Sequence, residues 1–243
     1  MDNRRIGILA LLLCGSAGAA LAQDTGLSVT VGARAWHTDW TTFSYFVEPD
    51  PVTGVLVKRA LTQVSAPNKL VLMPSLSARY GNFTGSLSGF QSTRFDFDDG
   101  GSGTRKEWDI NVGYLVLPSL ALTLGYKKVS QRDGAVRYEP KGPMLGLNAS
   151  GSVSGPVSMY GNLGVGRLKT PPKNGNDNIV DFKATYRLAE FGLAYSFGGG
   201  GVPRLWSLTA GYRIQVLRSI DAFGTQDGKD TTQGLTFGAL ATF

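Results

Sequence analysis

The sequence predicts an all-β chain, a transmembrane antiparallel β-barrel of ten strands, with eight or twelve as the alternative counts. Three observations carry this. Apolar residues alternate with polar or small ones at period 2 through almost the whole chain. Short turns and long polar loops alternate between these runs, and aromatic residues sort to the two ends of the apolar faces. Composition agrees: 33 Gly in 243 residues is about twice the ordinary share. The charged fraction, 17%, falls well below that of a soluble domain.

Residues 1–22 read as an export signal. Arg4 and Arg5 precede the apolar run 6–13, and Ala20, Leu21 and Ala22 form a small-residue cleavage site before Gln23. A lipoprotein anchored through Cys14 is the alternative, but Leu11, Leu12 and Leu13 stand where a lipobox has a small residue before its Cys. The barrel domain is then 23–243. Removal of the signal also removes the only Cys, so no disulfide can hold the exported chain together. A net charge of +6 raises nucleic acid as a partner, and export argues against it.

Ten strands follow in order, at about 27–40, 69–80, 83–94, 107–116, 120–131, 143–153, 157–169, 179–197, 205–218 and 233–243. The hairpin around Pro118 and Ser119 is the clearest. Trp108, Ile110, Val112, Tyr114 and Val116 share one face of its first strand, and Leu120, Leu122, Leu124 and Tyr126 one face of its second. The long loops are 41–68, 95–106, 132–142, 170–178 and 219–232. An even strand count puts both termini on the short-turn side.

A soluble sandwich also alternates, but it has no reason to sort aromatics or loop lengths. Tyr80, Phe83, Phe197, Trp206 and Phe243 sit beside the short turns, whereas Trp108, Tyr126 and Tyr212 sit toward the long loops. Two belts separated by aliphatic residues suit lipid headgroup levels. The last strand puts Leu235, Phe237, Ala239, Ala241 and Phe243 on one face. Its Thr236, Gly238, Ala241 and Phe243 resemble the carboxyl-terminal β-signal of bacterial outer-membrane barrels. That resemblance implies an outer-membrane location with periplasmic termini and extracellular long loops. It also implies three partners: outer-membrane lipid, lipopolysaccharide and the barrel-assembly machinery.

Three places strain the pattern. Pro74 inside the second strand predicts a bulge. The apolar face shifts phase near Ala189, which predicts a second bulge. Loop 41–68 contains an apolar run at 54–61, interrupted by Lys58 and Arg59, which is expected to stand above the membrane instead of adding two strands.

The residues assigned to the lumen are Arg34, Arg79, Arg94, Glu107, Asp109, Lys127, Asp181, Lys183, Arg187 and Arg213. They read either as ion pairs filling a narrow barrel or as the lining of a small pore for anionic solutes. Asp109 and Lys127 are expected to pair across their hairpin. Asp96, Asp98, Gly101 and Glu107 fall at calcium-loop positions, but Gly100 replaces a ligand and the segment joins strands, so no metal is assigned. His37, the only His, shares a face with Asp39, yet no Ser carries a nucleophile signature. The acidic pairs of omptin proteases are not matched. No catalytic residue and no cofactor are assigned. The expected function is a non-enzymatic barrel, structural or weakly pore-forming. The alternatives are a surface interaction protein acting through loop 41–68 and, behind it, a lipid hydrolase or protease.

Overall fold

The computed structural model describes residues 26–133, 136–170, 183–198, 201–220 and 227–243. The signal at 1–22 and Asp181 lie outside them. Eleven strands follow in chain order: β1 (Leu27–Pro49), β2 (Leu56–Tyr80), β3 (Phe83–Asp96), β4 (Ser102–Leu117), β5 (Leu120–Asp133), β6 (Val136–Tyr138), β7 (Lys141–Ser154), β8 (Val157–Lys169), β9 (Lys183–Gly198), β10 (Leu205–Ile220) and β11 (Asp227–Thr242). Ten of them close into one antiparallel barrel, in which β4 pairs β5 and β11 pairs β1. The short β6 only folds back on the end of β5.

The wall is inside-out relative to a soluble protein. Leu72, Ile110, Val112, Leu124, Leu163 and Leu193 are exposed on it, while Ser86, Asn111, Thr123, Asn148, Asn162 and Thr236 are buried inside. Such a surface suits hydrocarbon and not water. Tyr80, Phe83, Phe197, Trp206 and Phe243 are all exposed on the outer face near the short turns.

Several expectations need correction. Residues 41–68 are not a loop. β1 and β2 run on through them to a connection at 50–55, so the first hairpin prolongs the wall and adds no strand. The register of this pair shifts between Thr38 and Trp40 and leaves Asn68 at φ 59°, and the Asp39 carboxylate accepts the Asn68 N–H at 2.8 Å. Pro74 causes no bulge. It stays opposite Ala33, and the ladder to β3 begins only at Ser75, so the proline sits where one flank has no ladder.

Nor is there a bulge at Ala189, since both ladders of β9 run without a shift. Its even positions face inward from Ala184 to Ser196. Lys183 and Arg187 therefore stand exposed on the outside, not in the lumen. Arg94 also faces outward. A shift between Phe90 and Thr93 turns Phe95 and Phe97 in, and Arg94 pairs with Asp96 on the surface at 2.8 Å. Arg94 is displaced because of the register shift, and Lys183 and Arg187 because the interior is itself apolar toward the long loops. One cluster there joins Trp36, Trp40, Val71, Met73, Phe90 and Phe95, and another joins Val129, Met144, Leu168, Ala184, Tyr186 and Leu217.

Candidate functional site

The interior is layered. Toward the short turns it is filled by Ser, Thr and Asn; toward the long loops it is aromatic and aliphatic. Between them lies a layer of charge, set seven to twelve residues above the short turns. β4 and β5 bring Glu107, Asp109 and Lys127 together. Lys127 Nζ donates to Glu107 Oε2 at 2.7 Å and to Asp109 Oδ1 at 2.9 Å, and Asp109 and Lys127 are direct register partners. Arg105, two residues before Glu107 on the same face, donates through Nε to Glu107 Oε1 at 2.6 Å. The Lys127 ammonium also lies 4.6 Å from the centre of the Tyr186 ring.

A second cluster gathers on the facing wall. Glu190 of β9 accepts from Arg213 Nη1 of β10 at 2.8 Å and from Arg34 Nη1 of β1. The Tyr160 hydroxyl points at the same carboxylate from 3.4 Å. Gln215 joins the two clusters. With its amide oriented to match its neighbours, it donates to Glu107 Oε2 at 2.9 Å and Tyr186 Oη at 3.2 Å, and accepts from Arg213 Nε at 2.8 Å. β10 and β4 stand five strands apart around a ten-strand ring, so this link spans the lumen. Four cations thus face three carboxylates, all buried.

Two glycines admit Tyr160. A Cβ on Gly192 would meet its ring at 2.7 Å, and one on Gly211 would meet its hydroxyl at 2.6 Å. Gly211→Val is therefore expected to displace the ring from Glu190 and to cost about 1–3 kcal/mol of stability, the usual range for overpacking. Denaturant unfolding in detergent checks this.

Arg79 also faces inward, below the charge layer, where its Nε donates to Gly81 C=O at 2.9 Å. The residues at calcium-loop positions are not brought together. Asp96 pairs with Arg94, Asp98 accepts the Ser65 N–H, and Glu107 lies inside the barrel. His37 is exposed on the outer face, and Asp39 is engaged by Asn68. In the last strand, Thr236 is buried and Gly238 faces inward, where a Cβ would lie 2.5 Å from the Arg34 stem. Ala241 is buried and Phe243 stays on the outer belt.

Arg105, Glu190, Gln215, Tyr160 and Tyr186 were not reached by sequence reasoning. Arg105 carried a signal, since it continues the Glu107 and Asp109 alternation, but a strand start at 107 cut it off. Glu190 was hidden by the supposed bulge next to it.

No protein-family model matches the chain, and no curated protein matches it significantly. Among solved structures it is similar to the outer membrane protease OmpT from Escherichia coli, at 11% identity over 89% of this chain and 97% of that one, with a TM-score of 0.55. A FadL homologue from Pseudomonas aeruginosa aligns at 9% identity over 89% of this chain and 90% of that one, with a TM-score of 0.35. The chain is a closed ten-strand β-barrel of the outer-membrane type. At these identities the likeness bears on fold alone.

Proposed function

We propose that this chain is a non-enzymatic integral barrel of the outer membrane, structural in role, with a lumen held closed at mid-height. The Gln215 link between Glu107 and Arg213 carries the reading, because it joins the buried ion pairs of opposite walls. An open pore would leave these groups in water. The small anion-leaning conductance suggested by the excess of cations then belongs to a layer that has come apart. Proteoliposomes carrying the protein should take up arabinose no faster than empty ones. Swelling at the rate of an open porin would refute closure.

In this reading the termini are periplasmic, the long loops extracellular, and the outer wall meets lipid and lipopolysaccharide. Export and cleavage after Ala22 are part of it. Mass spectrometry of membrane-extracted protein should find an amino terminus at Gln23, and a lipidated Cys14 there would overturn that step.

A second reading, surface interaction, is favoured by the first hairpin. β1 and β2, at 23 and 25 residues, outrun the other barrel strands and carry an ordered tip. The Asp50 carboxylate accepts the N–H groups of Val52 and Thr53 at 3.0 and 2.9 Å. The Thr53 and then the Val52 N–H hold its carboxyl below the usual range, so the turn stays formed through neutral pH and loosens only on strong acidification. Val52, Val55 and Leu56 are exposed around it.

A further inference from the structure

Among the described residues, the ladder between β2 and β3 stops well short of the strand ends. β2 pairs β3 only from Ser75–Ser88 to Tyr80–Phe83. Farther from the short turns, β2 stays paired with β1 and β3 with β4, but not with each other. They meet again where the Asp98 N–H donates to Ser65 C=O at 2.9 Å and the Ser65 N–H donates to Asp98 Oδ1 at 3.0 Å. A seam therefore runs between residues 66–74 and 89–97.

Its height matters. A tilted strand climbs about 2.5 Å per residue along the membrane normal. Counted from the belt at Tyr80 and Phe83, the seam begins about 15 Å up an apolar band about 25 Å tall. Its lower part thus opens in hydrocarbon, where no water can satisfy an unpaired backbone group. Leu70 and Leu72 flank it on the outside, both 65% exposed.

Behind the seam lies the first apolar cluster. Rings from β1 reach past β2 to touch β3, with Trp36 and Phe90 centroids 6.4 Å apart and Trp40 and Phe95 5.2 Å apart. Side-chain packing and not a ladder closes the wall here, and packing can part without breaking backbone bonds. Within this apolar shell, Trp36 Nε1, Trp40 Nε1 and Arg105 Nη1 are buried with no acceptor among the described residues. The Arg105 guanidinium lies 5.5 Å from the centre of the Trp40 ring. Buried donors normally have partners, and an apolar shell offers a water too few.

We infer that the seam is a lateral portal and that the cluster behind it binds a single-chain amphiphile with a carboxylate head. Its tail replaces side-chain contacts among Val71, Met73, Phe90 and Phe95. Its head accepts from Arg105, Trp36 and Trp40. The extra cation of the charge layer supplies the matching charge. This requires the barrel to sit in a bilayer, and it holds whether or not the lumen conducts.

The test uses the four Trp residues. Trp206 and Trp108 lie on the outer face. In the full chain carrying Trp108→Phe and Trp206→Phe, reconstituted in phosphatidylcholine vesicles, only Trp36 and Trp40 emit. Added 9,10-dibromostearate should quench more than half of that emission saturably, and dodecanoate should reverse it. Dibromostearyl alcohol should need at least tenfold more. Quenching that rises linearly with membrane bromine and resists dodecanoate would overturn the inference. So would equal quenching by brominated phosphatidylcholine, which would mean bulk lipid contact. The unaltered chain gives an independent reading: dodecanoate should raise its melting temperature where dodecanol does not, and equal shifts would contradict a carboxylate site.

Discussion

Glu190→Ala is expected to destabilise the barrel by about 3–5 kcal/mol, the usual cost of removing one partner from a buried ion pair. Glu190 is the only carboxylate paired with Arg34 and with Arg213 among the described residues. Its loss strands two guanidinium groups at mid-height, where each keeps a strong demand for an acceptor. Equilibrium unfolding in detergent measures the cost. The conservative Glu190→Gln should recover part of it, since an amide oxygen still accepts from one arginine. A change below about 0.5 kcal/mol for Glu190→Ala, the range of an ordinary surface substitution, would show that the cluster carries little of the stability.

Deleting Phe243 should have a larger consequence in the cell than in the test tube. Its N–H donates to Val29 C=O at 2.8 Å, and its own carbonyl accepts from Val29 N–H at 3.3 Å, so it fastens the last strand to the first. Its ring also sits exposed on the outer belt, where an interfacial aromatic is favoured. If the strand-end resemblance reflects recognition by the barrel-assembly machinery, the truncated chain should be degraded or left in the periplasm. Refolded into detergent, the same chain should lose only the two hydrogen bonds and the belt contact, roughly 1–3 kcal/mol. Membrane levels equal to wild type, read on blots of outer-membrane fractions, would refute the assembly role.

The barrel was legible because its wall meets one solvent throughout. Lipid outside demands an apolar residue at every second position, so strands such as β4 and β5 announce themselves, and so does the register that pairs Asp109 with Lys127. The interior meets three environments in turn, and there the period-2 signal loses its meaning. In β9, Ala184 and Tyr186 face inward because the lumen is apolar at that level. An apolar face at these positions predicts lipid contact, which puts Lys183 and Arg187 in the lumen and leaves Glu190 out of it. Arg94 went wrong for a different reason: nothing local in Gln91 and Ser92 marks the register shift that turns it out. The link through Gln215 was beyond reach, because a neutral amide on a strand carries no sign of which opposing residue it will meet.

The closed lumen is tested most directly by single-channel recording in planar bilayers, comparing wild type with Gln215→Ala. This substitution removes the cross-lumen link while leaving every ion pair its partners, so the barrel should still fold. The expected result is a silent wild type and brief, anion-selective openings in the variant. A wild type that conducts in steady, porin-sized steps would contradict a charge layer that seals the barrel.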